Sequence, residues 1–405
     1  MNKNKPAIYP LNEWEVTEEN FDIKTNYRNE TTFALSNGYI GTRGTMEEAY
    51  DFDVDTGMEG NFINGFYEST DIRYGEANFG SPLRSQTLLN LPNMKETKVY
   101  LDGEEFSLIE SCVSDYKRTL YLKEGIVRRS LVWTTKTGKQ VQMDTLRLVS
   151  FDRKHVMLQK MCLTALNFDG EIEVKSKLNA NVENQTRKTN PIVDYGPFGP
   201  RLTPDLFGAE GAKLTYVGTT IGSKLSMGCG SDIRVFPVEA VKEINAKIDK
   251  LEAVSELKLQ LNQNDTVALD KFMVYVSCLD EYEGHLEEFV QEELNSAMQI
   301  GPEELINRQK AYVEDFWQRA AIQIEGEDAL STIQGLNFNL FHIFQGAGRD
   351  GKCGMPAKAL TGEGYEGHYF WDTEMYMIPL FIYTQPEVAK ALLSLCFLSI
   401  RLLQP

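Results

Sequence analysis

The feature that most constrains the fold is a change of hydrophobic period near residue 283. From about residue 20 to 280 the chain is a series of short apolar runs separated by turn residues, which is the pattern of strands. Ile172, Val174, Ser176, Leu178, Ala180 and Val182 alternate with charged or amide residues, so an extended segment here turns one face inward at every second residue. Leu257, Leu259 and Leu261 repeat that spacing and lead into the turn residues Asn264 and Asp265. Asp102-Gly103, between Lys98-Val99-Tyr100-Leu101 and Glu105-Phe106, is a two-residue hairpin signal. A large antiparallel sandwich is expected.

Beyond residue 283 the period becomes helical. Pro302-Glu303-Glu304 supplies a first turn with a locked φ and two acids near the positive helix end. Leu305, Tyr312, Val313, Phe316 and Trp317 then recur at spacings of three, four and seven. A second helix is expected over Asp328 to Phe344, with Leu330, Ile333, Leu336, Leu340, Phe341 and Phe344 on one side. A glycine-rich loop from Gly346 to Gly367 follows, then two apolar helices divided near Thr384-Gln385-Pro386. The expected domains are a sandwich over 1–275, a helical linker over 276–325, and the opening of an all-α domain over 326–405.

Several function classes are disfavoured by composition. The formal charge of −18 opposes a polyanion, and nucleic-acid binding needs clustered Lys and Arg. Six scattered cysteines form no C-x-x-C pair, and four histidines form no H-E-x-x-H motif, so no metal or other cofactor is expected. The first twenty residues carry two lysines with no apolar run behind them, unlike a secretory signal. No membrane is expected, and a cytoplasmic location is.

Two segments stand out. Asn37-Gly38-Tyr39-Ile40-Gly41-Thr42-Arg43-Gly44 spaces its glycines G-x-x-G-x-x-G and lacks the βαβ context of a dinucleotide site. It reads as a turn between strands, with Arg43 paired locally to Glu47 and Glu48. The run Leu360 to Glu374, LTGEGYEGHYFWDTE, gathers aromatics, carboxylates and glycines in fifteen residues. Sugar recognition uses these groups, because pyranose C–H faces pack on aromatic rings and hydroxyls donate to carboxylates. The structural alternatives weigh about equally: Asp372 as a helix N-cap and Trp371 as core packing.

The run T-G-E-G-Y-E-G-H-Y-F-W-D-T-E resembles glycoside hydrolase family 65, which contains maltose, kojibiose, nigerose and trehalose phosphorylases and acid trehalases. Shorter matches follow in the family's order: N-G-Y-I-G-T-R-G from Asn37, G-N-F-I-N-G-F-Y from Gly60, N-L-P-N from Asn90, L-D-G-E-E-F from Leu101 and F-N-L-F from Phe338. The resemblance implies an N-terminal β super-sandwich, a helical linker and the beginning of an (α/α)6 barrel. It implies inverting phosphorolysis of an α-glucosidic disaccharide, with inorganic phosphate as co-substrate and β-glucose 1-phosphate as product. Trp371 and Asp372 match the family's Trp-Asp pair that holds the non-reducing glucose.

The family's general acid lies beyond residue 405, so no catalytic residue is carried over. After Leu393 the tail departs from the family pattern and reads as a shifted frame or early stop. Twelve helices of about 12 residues with loops of about 5 need roughly 200 residues, and about 80 remain after residue 325. The chain alone is therefore expected to be inactive. The phosphorylase relatives suggest a homodimer. The rival readings are a trehalase-like hydrolase, which needs a second carboxylate to activate water, and a non-catalytic carbohydrate-binding module made of the sandwich.

Overall fold

The computed structural model describes residues 7–49, 56–74, 79–184, 193–194 and 199–402. Its first part is built on two antiparallel sheets. The larger has nine strands in the spatial order Glu15–Glu18, Cys112–Tyr121, Ile126–Thr134, Gln140–Val149, Val156–Ala165, Thr266–Ser277, Ser226–Phe236, Lys213–Thr220 and Leu202–Glu210. The smaller has five, in the order Val241–Asp249, Glu252–Leu261, Gly170–Asn179, Thr97–Leu101 and Glu104–Glu105.

The period of two decides what each face touches. In the two central strands of the large sheet, Met161, Leu163, Val267 and Leu269 meet Ile172, Val174, Leu257 and Leu259 of the small sheet. Leu158, Val156, Phe272, Val274 and Val276, from the alternate positions, line the opposite face. That face is covered by helix α2 (Leu286–Ile300) through Phe289, Val290, Leu294 and Ala297. A sheet with both faces covered has inward residues at every position, which is why these strands read as nearly continuous apolar runs.

The hairpin expected at Asp102-Gly103 is present, with φ of 52° and 80° and Leu101 paired to Glu104. The alternation from Ile172 holds through Leu178, where the strand ends at Asn179. The inward alternation runs one step past the strand, to buried Ala180, and lapses at half-buried Val182. One helix was not anticipated, α1 (Ile23–Thr32). Its inward residues are Asn26, Asn29, Glu30 and Thr32, so no apolar stripe announces it.

Helices α3 (Pro302–Ala320) and α4 (Ala329–Gly346) follow α2. Pro302 opens α3 as expected, and Val313, Phe316 and Trp317 pack with Leu340, Phe341 and Phe344 of α4 against the sandwich. Buried Gln309 of α3 is satisfied by the sheet loops, accepting from Phe151 N at 3.0 Å and donating to Gly125 O at 3.1 Å. Leu330 departs from the expected stripe and is exposed, because it sits in the first turn of α4 before the helix reaches the sandwich. Two more helices, α5 (Ile378–Thr384) and α6 (Pro386–Leu402), are divided at Gln385 as expected. Among the described residues no helix is long and apolar enough to cross a membrane.

Candidate active site

The segment from Ala347 to Met377 carries Trp371 and Asp372, and its path is set by contacts with the N-terminal part of the chain. The hairpin of Leu35–Ser36 and Ile40–Thr42 lies directly beneath it. Gln345, at the end of α4, accepts from Ser36 N at 3.0 Å and donates to Ala34 O at 3.1 Å. Gly38 has φ of 86°, and a Cβ there would overlap the carbonyl of Ala347. A Cβ at Gly41 would overlap Leu360. The glycines of the Asn37–Gly44 motif are thus places where two backbones touch.

Arg43 was expected to pair with Glu47 and Glu48, and the structure corrects this. Its guanidinium turns the other way, to Glu30 at 3.4 Å, Met58 O at 3.0 Å and Thr361 O at 2.6 Å. Glu47 and Glu48 point into the large sheet instead. Glu48 accepts from Nη1 and Nη2 of Arg129, both at 2.7 Å, and Glu47 binds Arg147 and Arg129. Each buried charge has an opposite partner, as burial demands.

Trp371 and Asp372 lie between two fixed points. On one side, Tyr369 donates its hydroxyl to Asn64 Oδ1 at 2.7 Å. On the other, buried Thr373 donates to Met355 O at 3.4 Å. Thr373–Met377 forms a single π-helical turn, a widened turn often found at functional sites. Asp372 occupies the N-cap position but has helical φ and ψ of −63° and −25° and makes no capping bond. An N-cap needs extended backbone for its side chain to reach back, so the capping alternative fails. Among the described residues the buried Oδ1 of Asp372 has no hydrogen-bond partner, a condition that costs about 1–3 kcal/mol unless a ligand or water supplies a donor.

The core-packing alternative for Trp371 fails too, because the residue is 67% exposed. Its ring lies 6.2 Å from that of Tyr376, which is equally exposed. An exposed indole thus adjoins in sequence a carboxylate with a buried, unpartnered oxygen, and both are residue types that sugar recognition uses. Just upstream, Tyr365 and Glu366 both take positive φ, 55° and 57°, which for residues with a Cβ stores strain. The turn they make brings Glu366 to Ser85 Oγ at 3.1 Å. An open cleft of about 650 Å³ lies alongside, lined by Ser69, Tyr74, Gln86, Glu366 and His368 among others. No cluster of three metal-ligating side chains occurs among the described residues.

Sequence reasoning missed Asn64 and Tyr67. Their run, from Gly60 to Tyr67, was counted only for its order along the chain. Nothing local marks them, because their partners in the Trp371-bearing segment are some 300 residues away.

The chain matches the model of the glycosyl hydrolase family 65 N-terminal domain over residues 16–316, and that of the family 65 central catalytic domain over residues 337–401. It belongs to glycosyl hydrolase family 65. Within that family it is 39% identical to an alpha,alpha-trehalose phosphorylase of Thermoanaerobacter brockii over 96% of this chain and 50% of the relative. It is 30% identical to a kojibiose phosphorylase of the same organism, over 94% of this chain and 47% of the relative. A solved structure of a human-microbiome protein assigned as a kojibiose phosphorylase superposes with a TM-score of 0.84 at 22% identity, covering 95% of this chain and 48% of that one. The chain spans about half the length of the curated relatives it matches.

Proposed function

We propose that this family 65 chain is the sandwich-bearing half of an inverting α-glucoside phosphorylase, with Trp371 and Asp372 holding the non-reducing glucose. The observation that carries the reading is the pairing of an exposed Trp371 ring with the buried, unpartnered Oδ1 of Asp372. Trehalose or kojibiose is the substrate class favoured by the named relatives, with maltose and nigerose as further candidates. In the reaction a phosphate oxygen attacks the anomeric carbon and the glycosidic bond breaks. A carboxylic acid gives its proton to the leaving oxygen, yielding β-glucose 1-phosphate and a free sugar.

That acid and the phosphate site belong beyond residue 405, in an (α/α)6 barrel of which residues 326–405 supply the opening. Residues 1–275 form the super-sandwich and 276–325 the linker. The chain alone is expected to release no glucose 1-phosphate. Phosphate is the co-substrate and no cofactor is required. A homodimer, suggested by the phosphorylase relatives, and a cytoplasmic location are part of the proposal.

A chimera tests this: residues 1–393 continued by the matching second half of the Thermoanaerobacter brockii trehalose phosphorylase. Trehalose, kojibiose, maltose and nigerose are offered with and without phosphate. Phosphate-dependent glucose 1-phosphate supports the reading, and glucose released equally without phosphate shows a hydrolase.

A further inference from the structure

We propose that Asn64 and Tyr67, on the sandwich side, are positioning residues that hold the glucose-contacting segment in its binding geometry. The proposal rests on the reading of Trp371 and Asp372 given above. Tyr67 donates its hydroxyl to Gly367 O at 2.6 Å, and its ring stacks on His368 with centroids 5.6 Å apart and planes within 12°. Asn64 takes the Tyr369 hydroxyl at 2.7 Å. Three consecutive residues, 367 to 369, are therefore fixed, with only Phe370 between them and the exposed ring of Trp371.

Asn64 is itself immobilised. Its side-chain N–H groups go to Gly38 O and Gly354 O, both at 2.9 Å, and its main-chain carbonyl accepts from Cys353 Sγ at 3.2 Å. It is 1% exposed. One amide thus ties the Asn37–Gly44 turn, the start of the Ala347 loop and the Tyr369 ring to one another. A buried amide with every donor and acceptor used has a single orientation, and so gives Tyr369 a rigid anchor. Burial also pushes the Tyr67 hydroxyl up to about 12 and that of Tyr369 well above its ordinary range, so both remain donors throughout the working pH range.

Preorganisation of this kind raises affinity by removing the ordering cost from the binding step. The residues that touch the sugar then need not be the only ones that set its affinity. Neither Asn64 nor Tyr67 lies on the segment that carries Trp371, which separates the holding from the contact.

The test uses the 405-residue chain and the double variant Tyr67→Phe/Tyr369→Phe, which keeps both rings and removes both hydroxyls. Hydrogen exchange is followed in peptides covering 361–376, with strand peptides of the sandwich as reference, and trehalose affinity is measured by calorimetry. Exchange in 361–376 is expected to speed at least tenfold with the strands unchanged, and trehalose affinity to fall about tenfold. Asn64→Ser, which shortens the anchor, should act in the same direction. Unaltered exchange in 361–376 overturns the proposal, as does faster exchange with trehalose affinity within twofold of the parent. If Asp372→Asn leaves trehalose binding unaltered, the glucose reading fails by itself, while the exchange arm still decides whether the segment is held.

Discussion

At the scale of single residues, Asp372 makes no capping bond on which the folded chain depends. Asp372→Asn keeps the volume and loses only charge, and no cap bond depends on it. Its denaturation midpoint should match the parent, with stability within about 0.5 kcal/mol. Trp371 gives a second check at this scale. It is 67% exposed, while Trp133 and Trp317 are buried and Trp14 is half-buried, so acrylamide quenching reports most strongly on Trp371. Adding trehalose or glucose should shield that component, and Trp371→Phe should abolish the effect. Quenching that ignores sugar in the parent chain contradicts a stacked pyranose.

Chemistry alone left Asp372 and Trp371 balanced between binding and structure, since residue type does not reveal backbone dihedrals or exposure. The pairing of Arg43 was not legible for a related reason. Glu47 and Glu48 are near it in sequence, but they sit in a turn after the strand Ile40–Thr42 and are taken by Arg147 and Arg129 of the large sheet, and Glu30 on α1 is the carboxylate it meets.

At the scale of elements, the strands and the helices α3 and α4 were readable because their buried sides are apolar at regular spacing. Helix α1 was not, because it buries amides and a carboxylate. The junction between the Asn37–Gly44 turn and the Ala347 loop was legible only as glycines with no assigned purpose. Its contacts give a prediction. Gly38→Ala places a Cβ on the Ala347 carbonyl at φ of 86°, so both the strain and the clash must be relieved by moving the loop. The variant should lose about 2 kcal/mol or more in urea unfolding, and Trp371 quenching should change with it. A variant as stable as the parent would show that the junction yields freely.

At the scale of the whole molecule, the sandwich itself was expected, while the nine-strand order with its neighbours drawn from distant parts of the sequence was not. Period two fixes which face is inward but not which strand lies alongside. The fold also buries a lysine between the sheets. Lys271 is 2% exposed, donates to Glu96 O at 3.1 Å, and burial pushes its ammonium down to about 7. The folded chain releases this proton near pH 7, whereas the unfolded chain keeps it to about 10.4. Between those values the unfolded state binds more protons, so stability rises with pH. From pH 7 to pH 9 the gain should be about 2 kcal/mol larger in the parent than in Lys271→Met, measured by chemical denaturation at both values. An equal pH dependence in the two proteins would remove Lys271 as its source.

Under the proposed function, Trp371 and Asp372 bind the glucose whose bond is cleaved by phosphate. The most direct measurement is kcat/KM for phosphorolysis in the chimera described above, with Trp371→Ala and Asp372→Asn compared against the parent. The account predicts a loss of about a hundredfold or more in each, roughly 2.7 kcal/mol, in proteins that melt normally. Values within twofold of the parent in both variants would contradict it.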